Sequence, residues 1–351
     1  MTRRVCFAYP GDLDTRSGGY GYDRRVIVEL RKLGWTVDLV PLGDGFPHPG
    51  ETVLAEAKEA LAVLPAGSLV LVDGLAYGVL AETAEALSAR LRLVALVHHP
   101  LALEGALPEP IRARLEQLER RSLSYAKAVL VTSASTRDLL AKNYGVPADK
   151  ITVAVPGTDR GIPARGKAGS PQIVSIGSII PRKGHDVLVS ALASITDLPW
   201  HCRIVGSRTM DAECDAALER QIEQNGLSDR IALVGPVDDS RAELARSDIF
   251  ALASRYEGYG MVFAEALSHG LPIVACRAGA VPEVVPEKAG ILVAPDSPVA
   301  FAEALRRLLV DPELKQRMAE ASLRSGALLP AWATTAALCS TVLERVANER
   351  V

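Results

Sequence analysis

The chain has 351 residues, 48% of them hydrophobic, and a formal net charge of -3 with no long basic run. This length favours two domains, and this charge excludes a nucleic-acid partner held by electrostatic attraction alone. Because no run of about 18 apolar residues occurs and the first residues lack the apolar core of a signal peptide, we expect a cytoplasmic protein without a membrane span.

The first half of the chain alternates short β-branched runs with longer stretches of helical periodicity. Strands are predicted at RVCFAY, TVDLVPL, SLVLVDG, LRLVALVHH, AKAVLVTS and ITVAVPG. Between them, apolar residues recur at three and four positions in YDRRVIVELRKLG and RARLEQLERRSLSYA. This alternation predicts a parallel sheet with helices on both faces.

A second unit of the same kind follows TDRGIPARGKAGSPQ (158–172), which we predict to be a linker. Its strands are predicted at QIVSIGS, HCRIVGS, RIALVGPV, DIFALAS, LPIVACRAG and GILVAP. The sequence thus predicts an α/β fold of two doubly wound, Rossmann-like parallel sheets: an N-terminal domain of residues 1–163 and a C-terminal domain of residues 171–330. A last helix at about 331–351 is expected to pack back on the first domain. Open α/β sheets bind ligands at the carboxyl ends of their strands, so the two domains are expected to face a central cleft.

Two carboxylates, eight positions apart, flank the start of a predicted helix in RYEGYGMVFAEALSHG. If the helix begins near Met261, the amides of Gly260, Met261 and Val262 lie unpaired at its positive end and suit a phosphate or a sugar oxygen. Glu257 would lie in the loop and Glu265 about one turn inside the helix. On spacing alone, the alternative is a capping or salt-bridged Glu265 and a solvated Glu257.

A basic pair, Arg182 and Lys183, starts the helix predicted after QIVSIGS. Cations at a helix start are unfavourable unless an anion compensates, so the pair suggests a bound diphosphate. A solvated basic pair is the alternative.

Two loops of the first half carry further candidates. The loop YPGDLDTRSGGYGYDRR contains Gly18, Gly19 and Gly21 without G-x-G-x-x-G spacing, so a plain glycine turn is as good an explanation as a phosphate-binding loop. The strand LVALVHHP ends at His98 and His99, which would point to opposite faces of an extended strand and would not bind one metal together. A histidine there can hydrogen-bond a sugar hydroxyl or act as a base, with a core role as the alternative.

Together these loops resemble those of the family 4 retaining glycosyltransferases, which have the GT-B fold. The resemblance rests on EGYGMVFAE, the glycine-then-PRKG loop, the Gly-Gly loop, the strand-end histidine and GAVPEVV, and it is strongest from Ile173 to Pro295. It implies a hexosyltransferase that moves a sugar from a UDP- or GDP-sugar to a small-molecule, saccharide or lipid acceptor. It also implies retention of the anomeric configuration, no metal and no cofactor.

The resemblance implies a role for each site residue. Glu257 and His98, which matches the family's histidine better than His99, would lie by the transferred sugar. Lys183 would neutralise the leaving diphosphate, and the nucleobase would lie near VGPVDD. The catalytic residues so implied are Glu257, His98 and Lys183, and the donor-binding residues are Gly19, Arg182, Lys183, Gly260, Met261, Val262 and, for the ribose hydroxyls, Glu265.

One position departs from the family, and several rival functions remain. Ser178 stands where the family usually has arginine, so either Arg182 supplies the missing charge or fewer cations bind the phosphates. The rivals are a sugar-nucleotide epimerase or phosphorylase, a dinucleotide-dependent oxidoreductase, whose glycine spacing is lacking, and a non-catalytic sugar-nucleotide binder. The arginines of EPIRARLEQLERRSLSYAKA have two interpretations: a weak peripheral membrane contact or a solvated basic face.

Overall fold

The computed structural model describes residues 3–105, 107–164 and 169–349. The chain forms two compact units: the first holds the described residues up to Gly157 and those from Pro330 onward, and the second is Thr158–Leu329. The predicted linker, 158–172, starts at this boundary, and its residues 165–168 lie outside the described part. None of the helices in the described ranges combines the length and apolar character needed to cross a membrane.

The first unit contains a six-stranded parallel sheet of order β2-β1-β3-β4-β5-β6. Its strands are β1 (Arg4–Tyr9), β2 (Thr36–Pro41), β3 (Leu69–Asp73), β4 (Arg92–Val97), β5 (Ala128–Val131) and β6 (Ile151–Val153). Its helices are α1 (Gly18–Lys32), α2 (Glu51–Ala62), α3 (Gly74–Tyr77), α4 (Ala81–Leu87), α5 (Glu109–Ser124) and α6 (Ala134–Asn143), with short 3₁₀ turns at Leu101–Leu103 and Ala148–Lys150.

The second unit contains another six-stranded parallel sheet, of order β12-β11-β10-β7-β8-β9. Its strands are β7 (Gln172–Ile176), β8 (His201–Val205), β9 (Ile231–Gly235), β10 (Ile249–Leu252), β11 (Ile273–Cys276) and β12 (Gly290–Val293). A 3₁₀ turn (Pro181–Lys183) precedes α7 (His185–Ala193), and the other helices are α8 (Ala212–Gln224), α9 (Ser240–Ala245), α10 (Met261–Ser268), α11 (Val281–Val284), α12 (Pro298–Val310) and α13 (Pro312–Gly326).

All twelve predicted strands are confirmed. They could be recognised in the sequence because the central strands are buried on both faces of their sheets. Central strands of both sheets are buried at every residue, as in β3, β10 and β11. A parallel sheet covered on both faces requires continuous apolar runs rather than alternation, and such runs are visible in sequence. The two doubly wound sheets of the predicted GT-B fold are therefore present.

The last helix, α14 (Trp332–Asn348), returns to the first unit and packs on α1. The ring of Trp332 meets that of Tyr22 edge-on at 5.7 Å. Nε1 of Trp35 donates a hydrogen bond of 2.9 Å to Oγ of Ser340, and Oγ1 of Thr335 donates one of 2.7 Å to the carbonyl beyond β6 at Val155. Its apolar face therefore completes the first core rather than the second.

The glycine loop after β1 is shorter than predicted. Helix α1 begins at Gly18, and Oγ of Ser17 accepts a hydrogen bond from the Tyr20 amide as its N-cap. The assignment of Gly18, Gly19 and Gly21 to a loop was therefore wrong, because the serine cap nucleates the helix four residues before Tyr22. Gly19 lies in the first turn of α1.

Candidate functional site

A buried ion pair lies at the carboxyl ends of β7 and β10 in the second unit. Glu257 is 4% exposed and follows β10, and Lys183 ends the 3₁₀ turn that follows β7. Nζ of Lys183 lies 2.7 Å from Oε1 of Glu257, and a guanidinium nitrogen of Arg182 lies 3.5 Å from Oε2. The structure thus brings both predicted cations to one predicted carboxylate, and the alternatives of a solvated Glu257 and a solvated basic pair do not hold.

The ion pair keeps Glu257 ionised. Burial alone raises the pKa of this carboxyl, but the charges of Lys183 and Arg182, with hydrogen bonds from Lys183 and Ser254, outweigh it and hold the pKa below 4.5. Oγ of Ser254 donates a bond of 2.6 Å to the same Oε1 that Lys183 contacts. Glu257 is therefore an anion at neutral pH, and Ser254 is a site residue that sequence reasoning missed.

The GAVPEVV segment holds the backbone of Glu257 in place. The amide of Ala280 donates a hydrogen bond of 2.9 Å to the carbonyl of Glu257. Gly279 has φ 55, and a Cβ on it would lie 2.2 Å from that carbonyl oxygen. Only glycine allows this approach, so Gly279 sets the position of the loop that carries Glu257.

Helix α10 begins next to the ion pair, at the residue predicted. Gly260 precedes Met261 with φ 87, a left-handed conformation that favours glycine, and in the described structure no side chain caps this end. The amides of Gly260, Met261 and Val262 therefore lie at a helix N-terminus of positive potential. Such a terminus attracts an anion.

The loop after β7 is held by a buried histidine that the sequence did not single out. Nε2 of His185 donates a hydrogen bond of 3.2 Å to the Gly177 carbonyl, and Nδ1 lies 3.5 Å from Oγ of Ser175. Burial lowers the pKa of His185 to about 4, so the ring is neutral and positions the loop without adding charge. A Cβ on Gly177 would lie 3.2 Å from the Lys183 stem, which packs on this glycine.

Glu265 lies about one turn into the same helix α10, as predicted, and is half-buried. Burial raises its pKa to about 7; Arg241 opposes this shift, whereas Asp159 and Asp239 add to it. Asp159 lies at the start of the second unit, Asp239 is the N-cap of α9, and Arg241 lies in the first turn of that helix. The two glutamates therefore have opposite electrostatic environments. Cations keep Glu257 ionised, whereas Glu265 has a pKa of about 7 and is partly protonated at neutral pH.

In the first unit, His98 follows β4 and is held by two buried carboxylates. Its Nε2 lies 3.1 Å from Oδ1 of Asp23 and 3.4 Å from Oδ2 of Asp73. A Cβ on Gly19 would lie 3.3 Å from the His98 ring, so these two predicted residues are neighbours. His99 contacts Glu104 instead, so the two histidines have different partners. Both lie beyond the end of β4 at Val97, so the prediction that they continue the extended strand was wrong.

Sequence reasoning missed both acids that hold His98. Asp73 is the last residue of β3, so the rule that ligands gather at strand ends could have found it. Asp23 lies inside α1, where no local pattern separates it from a surface acid. The arginines of α5 are less available than the sequence suggested, because Arg112, Arg120 and Arg121 pair with Glu109, Glu116 and Glu85.

The fold and the strand-end loops define the class. Two six-stranded, doubly wound parallel sheets, with a cation–carboxylate pair beside a helix N-terminus, make this a protein of the GT-B class. A family model described as Glycosyltransferase Family 4 matches residues 24–161, and one described as Glycosyl transferases group 1 matches residues 170–311. The chain belongs to glycosyltransferase family 4.

Known relatives and solved structures agree with this assignment. The chain is 30% identical over 260 residues to D-inositol 3-phosphate glycosyltransferase of Corynebacterium glutamicum, a match that covers 66% of this chain and 61% of the relative. It is 29% identical to alpha-D-kanosaminyltransferase of Streptomyces kanamyceticus, covering 64% and 61%. Both matches span less than two thirds of the relatives' own length.

The fold is also that of solved glycosyltransferases. Sucrose-phosphate synthase from Thermosynechococcus elongatus superposes with a TM-score of 0.83 at 20% identity, covering 97% of this chain and 98% of that one. Anabaena HepE in complex with UDP and glucose superposes with a TM-score of 0.77 at 18% identity, covering 96% and 99%. At these identities the likeness concerns the fold alone.

Proposed function

We propose that this protein is a hexosyltransferase that moves a sugar from a nucleoside-diphosphate sugar to an acceptor with retention of anomeric configuration, without a metal or cofactor. The observation that carries the proposal is the convergence of Lys183, Arg182 and the α10 N-terminus around Glu257. Two cations and a set of backbone amides at one point form a binding site for a diphosphate.

The charges explain how a sugar–diphosphate bond would break there. Negative charge grows on the diphosphate as it leaves, and Lys183, Arg182 and the amides of α10 stabilise that charge without a metal ion. Because these groups are already in place, they need little rearrangement when the charge develops. In this proposal they lower the barrier chiefly by stabilising the leaving group.

The state of Glu257 argues against a hydrolase-type mechanism. A carboxyl whose pKa is held low cannot act as a general acid at neutral pH, and a carboxylate bound by Lys183 and Ser254 is a poor nucleophile. We therefore assign Glu257 to positioning the donor sugar and the cations. The transfer would then be front-side, with the leaving phosphate taking the proton of the acceptor hydroxyl.

Glu265 would hold the ribose hydroxyls of the donor. Its neighbours Arg241 and Asp239 lie after β9, where the VGPVDD segment would hold the nucleobase. A carboxylate can accept two hydroxyl hydrogen bonds at once, which fits the ribose diol. This assignment makes α10 the element that binds both the nucleoside and the phosphates.

The first unit would bind the acceptor and supply His98, with Gly19 beside it, to the transferred sugar. One relative is named for D-inositol 3-phosphate and a solved family-fold protein contains UDP and glucose, so UDP-sugars and inositol 3-phosphate are the first compounds to try. Saccharide and lipid acceptors follow. A weak peripheral membrane contact would use the arginines of α5, but Arg120 and Arg121 already pair with Glu116 and Glu85, which lowers the positive charge that they offer to a membrane.

The test combines ligand binding with turnover. UDP- and GDP-sugars are screened by thermal shift, and the protecting donor is then incubated with each acceptor in the presence of EDTA, with the anomeric configuration of the product read by NMR. We expect an α-linked product from an α-linked donor. Donor conversion without an acceptor, a requirement for phosphate as acceptor, or binding without any turnover would instead support the epimerase, the phosphorylase or the non-catalytic binder.

Two variants connect the assay to the site. Lys183→Ala is expected to lose turnover, and Glu265→Ala to lose nucleotide binding. Glu116→Ala, which removes a partly exposed acid of α5 that pairs with Arg120, is the matched control and is expected to change neither. Unchanged donor affinity and rate in both site variants would overturn the site assignment.

A further inference from the structure

A buried cluster of three titratable side chains lies in the first unit, outside the diphosphate site. Asp23 from α1, Asp73 from the end of β3 and His98 from the end of β4 have ligand atoms within 4.8 Å of one another. Asp23 is fully buried, Asp73 is 3% exposed, and the His98 side chain is 17% exposed. Oδ2 of Asp23 has no hydrogen-bond donor among the described residues.

The hydrogen bonds orient the histidine ring. Oδ1 of Asp73 accepts from the Leu75 amide at 2.7 Å and caps α3, which leaves Oδ2 to face His98. Since both carboxylates lie at the same ring nitrogen, Nε2 of His98 must carry a hydrogen that it donates between them. Nδ1 has no partner within the described part of the chain.

Charge balance then sets the state of the ring. Two buried carboxylates with a neutral imidazole would leave two uncompensated negative charges in a region of low dielectric constant, which is strongly unfavourable. A proton on Nδ1 and a second proton on the carboxylates make the cluster neutral. Burial raises the pKa of Asp23 to about 7, with Asp73 adding to this shift, so Asp23 is the carboxyl that takes the second proton.

We propose that Asp23 and Asp73 are positioning residues that hold His98 as an imidazolium, with Nε2–H bound between them and Nδ1–H left to donate to the ligand. The part of this inference that concerns the ligand rests on the proposed function; the charge state of the ring does not. An imidazolium beside a sugar that becomes electron-poor in the transition state is unfavourable at the anomeric carbon. The ring therefore serves best as a donor to a sugar or acceptor hydroxyl.

Asp23 and Asp73 are the groups that raise the pKa of His98, and the neighbouring tyrosines add no charge to the cluster. Burial lowers the pKa of His98, but Asp23 and Asp73 outweigh it and raise it to about 10. Among the described residues, two tyrosines of α1 also face the cluster. Burial raises the pKa of Tyr20 to about 12 and raises the pKa of Tyr22 well above its ordinary value, so both are neutral. Tyr22 meets the His98 ring edge-on at 5.3 Å and adds packing rather than charge.

A divalent metal ion bound by Asp23, Asp73 and His98 could also balance the negative charge of the two carboxylates. The experiment therefore distinguishes a bound metal from a protonated His98 ring. The described part of the chain offers three ligand atoms in this group and no fourth side chain. Purified protein is labelled with ¹⁵N-histidine, the His98 signals are assigned with a His98→Asn variant, and both ring nitrogens are followed from pH 6 to 11. The same sample is assayed for bound metal before and after EDTA.

We expect His98 to keep both nitrogens protonated at pH 8, where an ordinary histidine is neutral. At pH 8 Asp23 is above its pKa of about 7 and carries a negative charge, so Asp23→Asn should lower the proton affinity of the His98 ring by tenfold or more. At the same pH it should reduce kcat at least tenfold, with the Kd for UDP unchanged. Asp73→Asn, which can still cap α3, should act in the same direction. Asp44→Asn, on the exposed loop after β2, is the control and should change neither.

A neutral His98 ring at pH 8 in the unmodified protein would overturn the inference. So would aspartate variants that leave the His98 titration unchanged. A stoichiometric bound metal would also overturn it, if the aspartate substitutions no longer change the His98 titration once EDTA has removed that metal. The titration needs no substrate. A protein that shows the imidazolium but transfers no sugar would contradict the proposed function and leave the inference standing.

Discussion

Lys183 and Glu257 are 74 residues apart in the chain and form a buried ion pair in which Nζ lies 2.7 Å from Oε1. The side chains are 14% and 6% exposed, so water screens the pair little. Burying two charges costs desolvation energy, which their mutual attraction offsets only where the geometry is good and further hydrogen bonds satisfy both groups. Here the same lysine is the cation that a diphosphate would need.

The energy of this pair can be measured with a double-mutant cycle. Lys183→Met should destabilise the protein by about 3 kcal/mol, because it leaves the Glu257 carboxylate buried with Arg182 and Ser254 alone. Adding Glu257→Gln should restore part of that loss. Urea unfolding of the four proteins measures the coupling, and a double variant no more stable than Lys183→Met would contradict the buried-charge explanation.

The depressed pKa of Glu257 predicts a pH dependence of stability. A carboxyl whose folded-state pKa lies below its ordinary 4.5 stabilises the fold at higher pH, and this stabilisation is lost as the pH falls through the folded pKa. The stability gap between the unmodified protein and Glu257→Gln should therefore be constant from pH 7 to 5 and shrink below about pH 4.5. Thermal unfolding at several pH values measures it, and a gap that grew on acidification would refute the assignment.

Glu265 should show the opposite sign. Its folded-state pKa of about 7 lies above the ordinary 4.5, so its ionisation disfavours the fold as the pH rises between these values. Glu265→Gln should be more stable than the unmodified protein at pH 8, by about 1–2 kcal/mol because the side chain is partly exposed, and equal to it at pH 4. The same variant should bind UDP at least tenfold more weakly. Isothermal titration gives the affinity, and unaltered UDP binding would remove Glu265 from the site.

A pair of glycines separates backbone strain from site geometry. Gly279 and Gly226 have similar positive φ, 55 and 65, but a Cβ meets the Glu257 carbonyl at 2.2 Å in the first case and nothing within 4 Å in the second. Gly226→Ala should cost about 1 kcal/mol with kcat unchanged. Gly279→Ala should cost more and lower kcat by tenfold or more, because Glu257 must move. Equal effects of the two on kcat would show that the GAVPEVV contact does not set the site.

The departure at Ser178 can be tested by moving the charge. Arg182 contacts the Tyr256 carbonyl at 3.2 Å as well as Glu257, and we propose that it also binds a phosphate of the donor. Arg182→Met should reduce kcat by about tenfold to a hundredfold. Restoring arginine at the family's position, Ser178→Arg with Arg182→Met, should recover part of it. Full activity of Arg182→Met would assign the diphosphate to Lys183 and the helix amides alone.

Residues close together in sequence were predictable. The start of α10 at Met261 followed from the glycines before it. The separate partners of His98 and His99 did not follow from strand alternation, because β4 ends at Val97, before both residues. The start of α1 was missed because its serine cap was overlooked among the surrounding glycines. The family resemblance made the expected roles of Glu257 and Lys183 specific, which spacing alone could not do.

Short-range patterns by themselves determined the strands, most helices and the loops where a site should lie, because burial on both faces of a parallel strand is written in neighbouring residues. Which side chains meet was decided only by the tertiary structure. Asp23 reaches His98 across 75 positions, and Lys183 reaches Glu257 across 74. The energy of such a pair depends on the burial and distance of groups that the chain brings together only by folding, so the charge states of these two pairs, one in each unit, belong to the fold and not to any local motif.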